Sequence, residues 1–360
     1  MSMHFHKLTI SDIRPETNEC VSIAFEIPED LKEQYRFREG QNITLRATIN
    51  GEEIRRSYSV CSSPLEGELR VAVKAIADGR FSNYANTQLK KGDRLDVLPP
   101  TGKFYTPIES AASKEYMAFA AGSGITPIIS IIKTVLASEP KSRFTLVYGN
   151  RHRASIIFRE QLEALKNKYM DRFRLIHILS REKTDAPLLH GRIDAAKCEA
   201  LGDKLLEWKQ VDHYFLCGPE QLIFSVRDYL QGKGVTGDRI HFELFTTPGQ
   251  DQISKTRQIT TSTEPGQLAK VTIKADGRSL ELRVPFNGPA ILDAALQAGA
   301  DLPYACKGGV CCTCRAKLVT GEVSMDTNYA LEPDEVEAGF ILTCQSHPRS
   351  TELLIDFDQK

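Results

Sequence analysis

Hydrophobic and polar positions alternate in the first third of the chain, as in QNITLRATI (41–49) and GELRVAVKAI (67–76). Turn-forming runs, INGEE (49–53) and KKGDR (90–94), separate such stretches. A period of two broken by turns predicts short antiparallel strands, and their spacing predicts a small antiparallel β-barrel over residues 1–108. The pattern then changes. Apolar runs EYMAFAA (115–121), RFTLVYGN (143–150) and FRLIHILSRE (173–182) alternate with helical stretches PIISIIKTVLA (127–137) and ASIIFREQLEALKNKY (154–169). This βαβ rhythm predicts an α/β doubly wound parallel sheet over 109–248. The following GQDQISKTRQITTSTEPGQ (249–267) is polar, Thr- and Ser-rich and without an apolar period, so it reads as a linker. Residues 268–360 read as a third, α+β unit of short strands, one helix (PAILDAALQAG, 289–299) and a cysteine-rich loop.

Length agrees with this multidomain division: 360 residues exceed what one hydrophobic core ordinarily serves. The N-terminus has no basic start followed by an apolar core, and no apolar run approaches the ~20 residues of a membrane span. The expectation is a cytoplasmic protein with no membrane contact, where clustered cysteines bind metal or do redox work rather than form structural disulfides. The net charge of −1 gives no argument for nucleic acid. From Pro265 onward there are 9 basic and 13 acidic residues, against 37 and 34 in the rest, so the C-terminal unit is acidic enough to dock on a basic partner.

Four of the nine cysteines fall in YACKGGVCCTCRAKL (304–318). Cys306-x4-Cys311-x2-Cys314, then 29 residues before Cys344, is the plant-type [2Fe–2S] spacing. One loop supplies three thiolates, Gly308 and Gly309 let backbone amides approach the sulfurs, and Cys344 ties the loop to the domain. Cys312 is then a spare. A zinc site built from Cys311, Cys314, Cys344 and His347 is the alternative, although the second short cysteine pair usual for zinc is missing.

Two glycine-bearing turns sit where an apolar strand gives way to a helix. GSGITP (122–127) offers backbone amides at a helix start, where a pyrophosphate sits well. HYFLCGPEQLI (213–223) ends its strand in Cys217-Gly218-Pro219. The plain alternatives are an ordinary tight turn and a buried strand-end cysteine.

These fragments together resemble the ferredoxin–NADP reductase superfamily. The resemblance implies that Gly122, Gly124, Thr126 and Pro127 bind the pyrophosphate, and that Cys217, Gly218 and Pro219 lie beside the nicotinamide. Upstream, Arg56-Ser57-Tyr58-Ser59 matches R-x-Y-S, and Gly79-Arg80-Phe81-Ser82 matches G-x-x-S, as in the flavin domain of that superfamily. There Arg56 would neutralise the flavin phosphate, Tyr58 offer an aromatic face and Ser59 hydrogen-bond the flavin N5. The turn bearing Gly79, Phe81 and Ser82 would hold the pyrophosphate, and Val73 and Lys74 line the flavin edge. Glu243 and Phe245, in HFELF (241–245), are expected to face the flavin. FAD is expected rather than FMN. Ser180-Arg181 at the end of a strand suits a 2′-phosphate, so NADPH is expected over NADH, with Arg151 and Arg192 assisting.

The stretch ILDAALQAGADLPYACKGGVCCTCRAKLVTGEV (291–323) resembles a plant-type ferredoxin, which implies a β-grasp fold and Cys306, Cys311, Cys314 and Cys344 as ligands. In domain order the chain resembles reductase subunits of multicomponent bacterial oxygenases. That implies hydride transfer from NADPH to the flavin near Ser59, Cys217 and Glu243, single electrons to the cluster, and a terminal diiron oxygenase, an epoxidase, as partner. Two other readings stand beside it: an NADH- and FMN-using reductase for a Rieske oxygenase, and a redox sensor with a degenerate flavin site and a structural metal.

Overall fold

The computed structural model describes residues 4–184, 186–208, 210–245 and 267–359. Contacts divide it into a larger unit, Lys7–Ile54 with Tyr58–Phe245, and a smaller one formed mainly by Thr246–Lys360. Of the stretch expected to be a linker, 249–266 lie outside the described residues.

In the larger unit, β1 (His6–Thr17), β2 (Cys20–Glu26), β3 (Asn42–Ile49), β4 (Glu52–Ser59), β5 (Leu69–Lys74) and β6 (Arg94–Val97) form one sheet in the order β4-β3-β6-β1-β2-β5. A bridge between Val60, just past β4, and Val71 of β5 joins the two ends, which closes the sheet into the expected barrel. Alternation explains the closure: Leu8, Ile10, Ile23, Ile43, Leu45, Val71 and Val73 turn inward and form its core. Helix α1 (Arg80–Thr87) follows β5 directly and carries Phe81 and Ser82 on its buried side.

The second half of this unit is β7 (Glu115–Ala121), α2 (Ile125–Ser138), β8 (Arg143–Asn150), α3 (Arg159–Lys168), β9 (Phe173–Leu179), α4 (Ala195–Gly202), β10 (His213–Gly218), α5 (Glu220–Gly232) and β11 (Ile240–Leu244). The strands lie in the order β11-β10-β7-β8-β9, and every pair between neighbours is parallel. The chain reverses direction of growth between β7 and β10, the position where ligands bind in such sheets. Helix α3 starts five residues later than the apolar pattern at 154–169 implies. Phe158 takes a left-handed φ of 59° and interrupts any earlier helix.

Barrel and nucleotide sheet share a core: Cys20, Cys61 and Ala72 pack with Ile128, Ile129, Ile132, Tyr148 and Phe215. Polar bonds fix the joint, with Ser130 Oγ donating to the Ser62 carbonyl at 2.6 Å and Ser63 Oγ 2.8 Å from Thr134 Oγ1. All these hydroxyls are buried, so each bond replaces a desolvation loss.

The smaller unit holds β12 (Leu268–Ala275), β13 (Arg278–Pro285), α6 (Ile291–Gln297), β14 (Arg315–Thr320), β15 (Val323–Met325), α7 (Pro333–Glu337), β16 (Phe340–Leu342), β17 (Ser346–Pro348) and β18 (Glu352–Asp356). Its main sheet, β13-β12-β18-β14-β16, is mixed: β12 and β18 run parallel, the other pairs antiparallel. Ile291, Leu292 and Ala295 of α6 pack on Val271, Ile273, Ile341 and Ile355. This is the α+β, β-grasp arrangement expected from the sequence. No helix among the described residues is long and apolar enough to cross a membrane.

Candidate active site and cluster loop

Register places the first cluster of side chains. Cys217 pairs with Glu243 where β10 and β11 run side by side, and the Phe245 amide donates to the Gly218 carbonyl at 3.2 Å. From the barrel, Ser59 Oγ donates to Glu243 Oε2 at 2.9 Å. The three residues expected to do the chemistry, Ser59, Cys217 and Glu243, therefore meet, although 184 residues separate the bonded pair. Surrounding protein desolvates the Glu243 carboxyl and pushes it up to about 7, against the opposing bonds from Ser59 and Asn42. Cys217 is fully buried, and burial drives its thiol well above the usual range, so it stands there as a neutral, polarizable group.

Asn42 escaped the sequence reading. It is buried at the start of β3, and its side-chain oxygen is 3.5 Å from Thr101 Oγ1, which leaves its amide group for Glu243. Nothing in the alternation of QNITLRATI distinguishes it, because its partner lies far along the chain, in β11.

The glycine loop is held tightly against this corner. A Cβ on Gly124 would stand 2.1 Å from the Cys217 carbonyl oxygen, a contact only glycine permits. Gly122 has φ 55°, and its carbonyl accepts from the buried Tyr148 hydroxyl at 2.9 Å. Pro127 lies in the first turn of α2, where its missing N–H costs nothing. Thr126 is buried, and its hydroxyl is turned back onto the Ser123 carbonyl at 3.0 Å. Lys74 reaches over this loop from the barrel: its Nζ would be 3.8 Å from a Cβ on Gly122. Pro219 caps the start of α5.

The other positions expected at the flavin lie on β4, on β5 and in the turn into α1. Tyr58 and Phe81 rings are 5.6 Å apart, and Val73 is buried beside them in the barrel core. Arg56 is exposed, with Nη1 on the Arg55 carbonyl at 2.8 Å, and Ser57 is half-buried. A Cβ on Gly79 would meet Ser82 Oγ at 2.3 Å, so the turn into α1 is closed around that hydroxyl. The pattern fits a phosphate cradle of close backbone and short hydroxyl side chains.

At the end of β9 the Ser180 amide bonds the Asn150 carbonyl and the Arg181 amide bonds the Arg151 carbonyl, both at 2.9 Å. Glu182 turns the other way, accepting from the Arg153 amide at 2.7 Å and pairing with its guanidinium. Arg151, Arg181 and Arg192 lie on neighbouring loops, Arg151 and Arg181 exposed and Arg192 exposed in the turn after His190.

In the smaller unit, Cys306 and Cys311 lie beside each other, as do Cys314 and Cys344. The neighbouring Cys311 thiol, with the loop amides, holds the Cys306 thiol below its usual range, against the opposing effect of burial. Gly308 N lies 3.3 Å from Cys306 Sγ. Lys307, Gly309 and Cys312 take φ of 53°, 74° and 54°, which coils the loop so that its amides face the sulfurs. Two pairs of thiols fit two irons with two ligands each. His347, the fourth ligand of the zinc alternative, has its Nε2 3.0 Å from Asp326 Oδ2. Cys312 points elsewhere, its Sγ 2.9 Å from the Ala330 carbonyl.

Comparison with known proteins finds three domain families along the chain. Residues 7–105 match the oxidoreductase FAD-binding domain family, 119–228 the oxidoreductase NAD-binding domain family and 273–349 the 2Fe-2S iron-sulfur cluster binding domain family. The chain is 47% identical to the E subunit of 1,2-phenylacetyl-CoA epoxidase from Escherichia coli (strain K12), over 99% of this chain and 98% of that one. It is 33% identical to the ferredoxin reductase component of 3-ketosteroid-9-alpha-monooxygenase from Rhodococcus rhodochrous, over 97% and 96%. Among solved structures, phthalate dioxygenase reductase, a modular structure for electron transfer from pyridine nucleotides to [2Fe-2S], is similar with TM-score 0.58 and 26% identity, over 98% of each chain.

Proposed function

This chain belongs to the family of FAD-, NAD(P)H- and [2Fe–2S]-dependent electron-transfer reductases of oxygenase systems, and from that premise we propose how its own residues act, which nucleotide it prefers and what it serves. The supporting observation is the meeting of Ser59, Glu243 and Cys217 at one corner of the nucleotide sheet.

When bound, the flavin converts a two-electron hydride donor into a source of single electrons. The protein supplies position. Arg56 would neutralise the flavin phosphate, while Ser57 and the turn at Gly79, Phe81 and Ser82 would hold the pyrophosphate. Tyr58 and Lys74 would line the ring with Phe245 over it, and Val73, buried in the barrel core, would support that face from behind. Gly122, Gly124, Thr126 and Pro127 cradle the nucleotide pyrophosphate at the start of α2, and Cys217, Gly218 and Pro219 shape the nicotinamide pocket. The buried, neutral Cys217 thiol would exclude water from the corner where the nicotinamide meets the flavin. Ser59 donates to the acceptor nitrogen or to Glu243, and Glu243, near neutrality in its titration, keeps a proton available to that hydroxyl. Cys306, Cys311, Cys314 and Cys344 hold the cluster.

Ser180 and Arg181, with Arg151 and Arg192 nearby, support NADPH as the donor, because a planar guanidinium suits a 2′-phosphate and Glu182 is engaged with Arg153. We take the functional division as 1–108 for FAD, 109–248 for NADPH, 249–267 as linker and 268–360 for the cluster. The near full-length similarity to the Escherichia coli epoxidase component supports a terminal oxygenase partner, and in particular a diiron phenylacetyl-CoA epoxidase in aerobic phenylacetate degradation. Thiolate ligation needs a reducing compartment, which supports the cytoplasm.

Cys217→Ser tests the arrangement at its centre. In stopped flow, flavin reduction by NADPH is expected to slow about tenfold or more, the cost of a small misplacement at the reacting atoms, while the cluster spectrum stays that of the wild type. An unchanged rate would remove Cys217 from the site.

A further inference from the structure

Gln345 directly follows the distant cysteine, and the side chain reaches back to the cysteine loop. Its Nε2 lies 2.9 Å from the Lys307 carbonyl, 3.0 Å from the Cys344 carbonyl and 3.7 Å from Cys344 Sγ. The main chain at this residue is fixed on both sides: its amide donates to the Leu342 carbonyl at 2.9 Å, and its carbonyl accepts from the Asp326 amide at 2.9 Å. Its stem is confined as well, because Cγ stands 3.2 Å from where a Cβ of Gly309 would be, and Gly309 has φ 74°.

We propose that Gln345 is a positioning residue that clamps the Cys306 loop to Cys344 and, through its N–H near the Cys344 sulfur, sets the reduction potential of the cluster. The inference rests on the reading of the four cysteines as its ligands. A carboxamide nitrogen carries two hydrogens, and here three acceptors share them. Adding an electron makes the ligand sulfurs stronger acceptors, so donors aimed at them favour the reduced state. The Gly308 amide stands 3.3 Å from Cys306 Sγ, whereas the side-chain donor beside Cys344 Sγ is that of Gln345. Losing Gln345 therefore weighs heavily on the Cys344 side. The same loss frees the loop at Lys307 and the packing on Gly309.

The test uses the full chain with flavin and cluster in place, as wild type, Gln345→Met and Gln345→Glu. Methionine keeps the length and packing without the donor; glutamate replaces the donor with a negative charge. The readout is the cluster midpoint potential from a redox titration followed by electron paramagnetic resonance. The expected result for Gln345→Met is a reduced state disfavoured about threefold to tenfold, a midpoint lower by ~28 to ~59 mV for a one-electron couple. Gln345→Glu falls further, and the flavin midpoint does not move in either. Unshifted cluster midpoints in both variants would overturn the proposal. Loss of the cluster from both would also overturn it, leaving a structural clamp with no tuning role. A wild-type protein without a reduced-cluster signal would instead sink the ligand assignment, and this inference with it.

Discussion

At the scale of single residues, Glu243 carries the clearest electrostatic signature in the nucleotide-binding unit. Its folded value, about 7, lies above that of the free side chain, so folding takes up a proton. The stability this group contributes is fully present below the ordinary carboxylate range and is lost as pH rises through about 7. Glu243→Gln, uncharged at every pH, should flatten that loss: its melting temperature is expected to change less between pH 6 and pH 8 than the wild type's, as followed by thermal denaturation. Arg181 gives a second prediction. Removing one charged bond to a 2′-phosphate is worth ~1.5–3 kcal/mol, so Arg181→Ala should lower kcat/KM for NADPH about tenfold or more and leave that for NADH unchanged. Equal losses with both nucleotides would refute the assigned role. The sequence showed Ser59, Cys217 and Glu243 as members of separate short motifs. It did not show Asn42 or Gln345, because each acts through a contact that no local pattern records: Asn42 across the barrel to β11, Gln345 back across the cysteine loop.

Elements explain why those residues meet. The end of β10 and the glycine turn before α2 lie so close that a Cβ on Gly124 would overlap the Cys217 carbonyl. Gly124→Ala must push the turn and the strand end apart, at a cost of ~1–3 kcal/mol. Its expected phenotype is a melting temperature several degrees lower together with a Kd for NADP+ raised at least about tenfold, measured by calorimetry. A stable variant with unchanged affinity would mean the turn has no part in nucleotide binding. Strand β8 coincides with the apolar run RFTLVYGN, since a buried parallel strand reads as a continuous apolar segment. Helix α3 does not coincide with its run. Ile156, Ile157 and Phe158 are apolar because they fill the core, not because they are helical, and Phe158 turns the chain with a positive φ. Strand spacing alone implies a closed barrel; the register that closes it at Val60 and Val71 is a long-range matter.

For the whole molecule, the order of domains carries the function. A two-electron donor site, a flavin site able to convert, and a one-electron acceptor site stand in one chain, and each is legible from its own motif: G-x-G-x-x-P, R-x-Y-S and C-x4-C-x2-C. What no motif carries is the partner, because no residue of a reductase touches the oxygenase's organic substrate. The most direct test of the account is an anaerobic visible spectrum of the purified chain before and after one equivalent of NADPH. Flavin absorbance overlaid on broad iron–sulfur absorbance is expected, with both bleaching on addition. A flavin spectrum alone, with zinc in the protein by metal analysis, would contradict it.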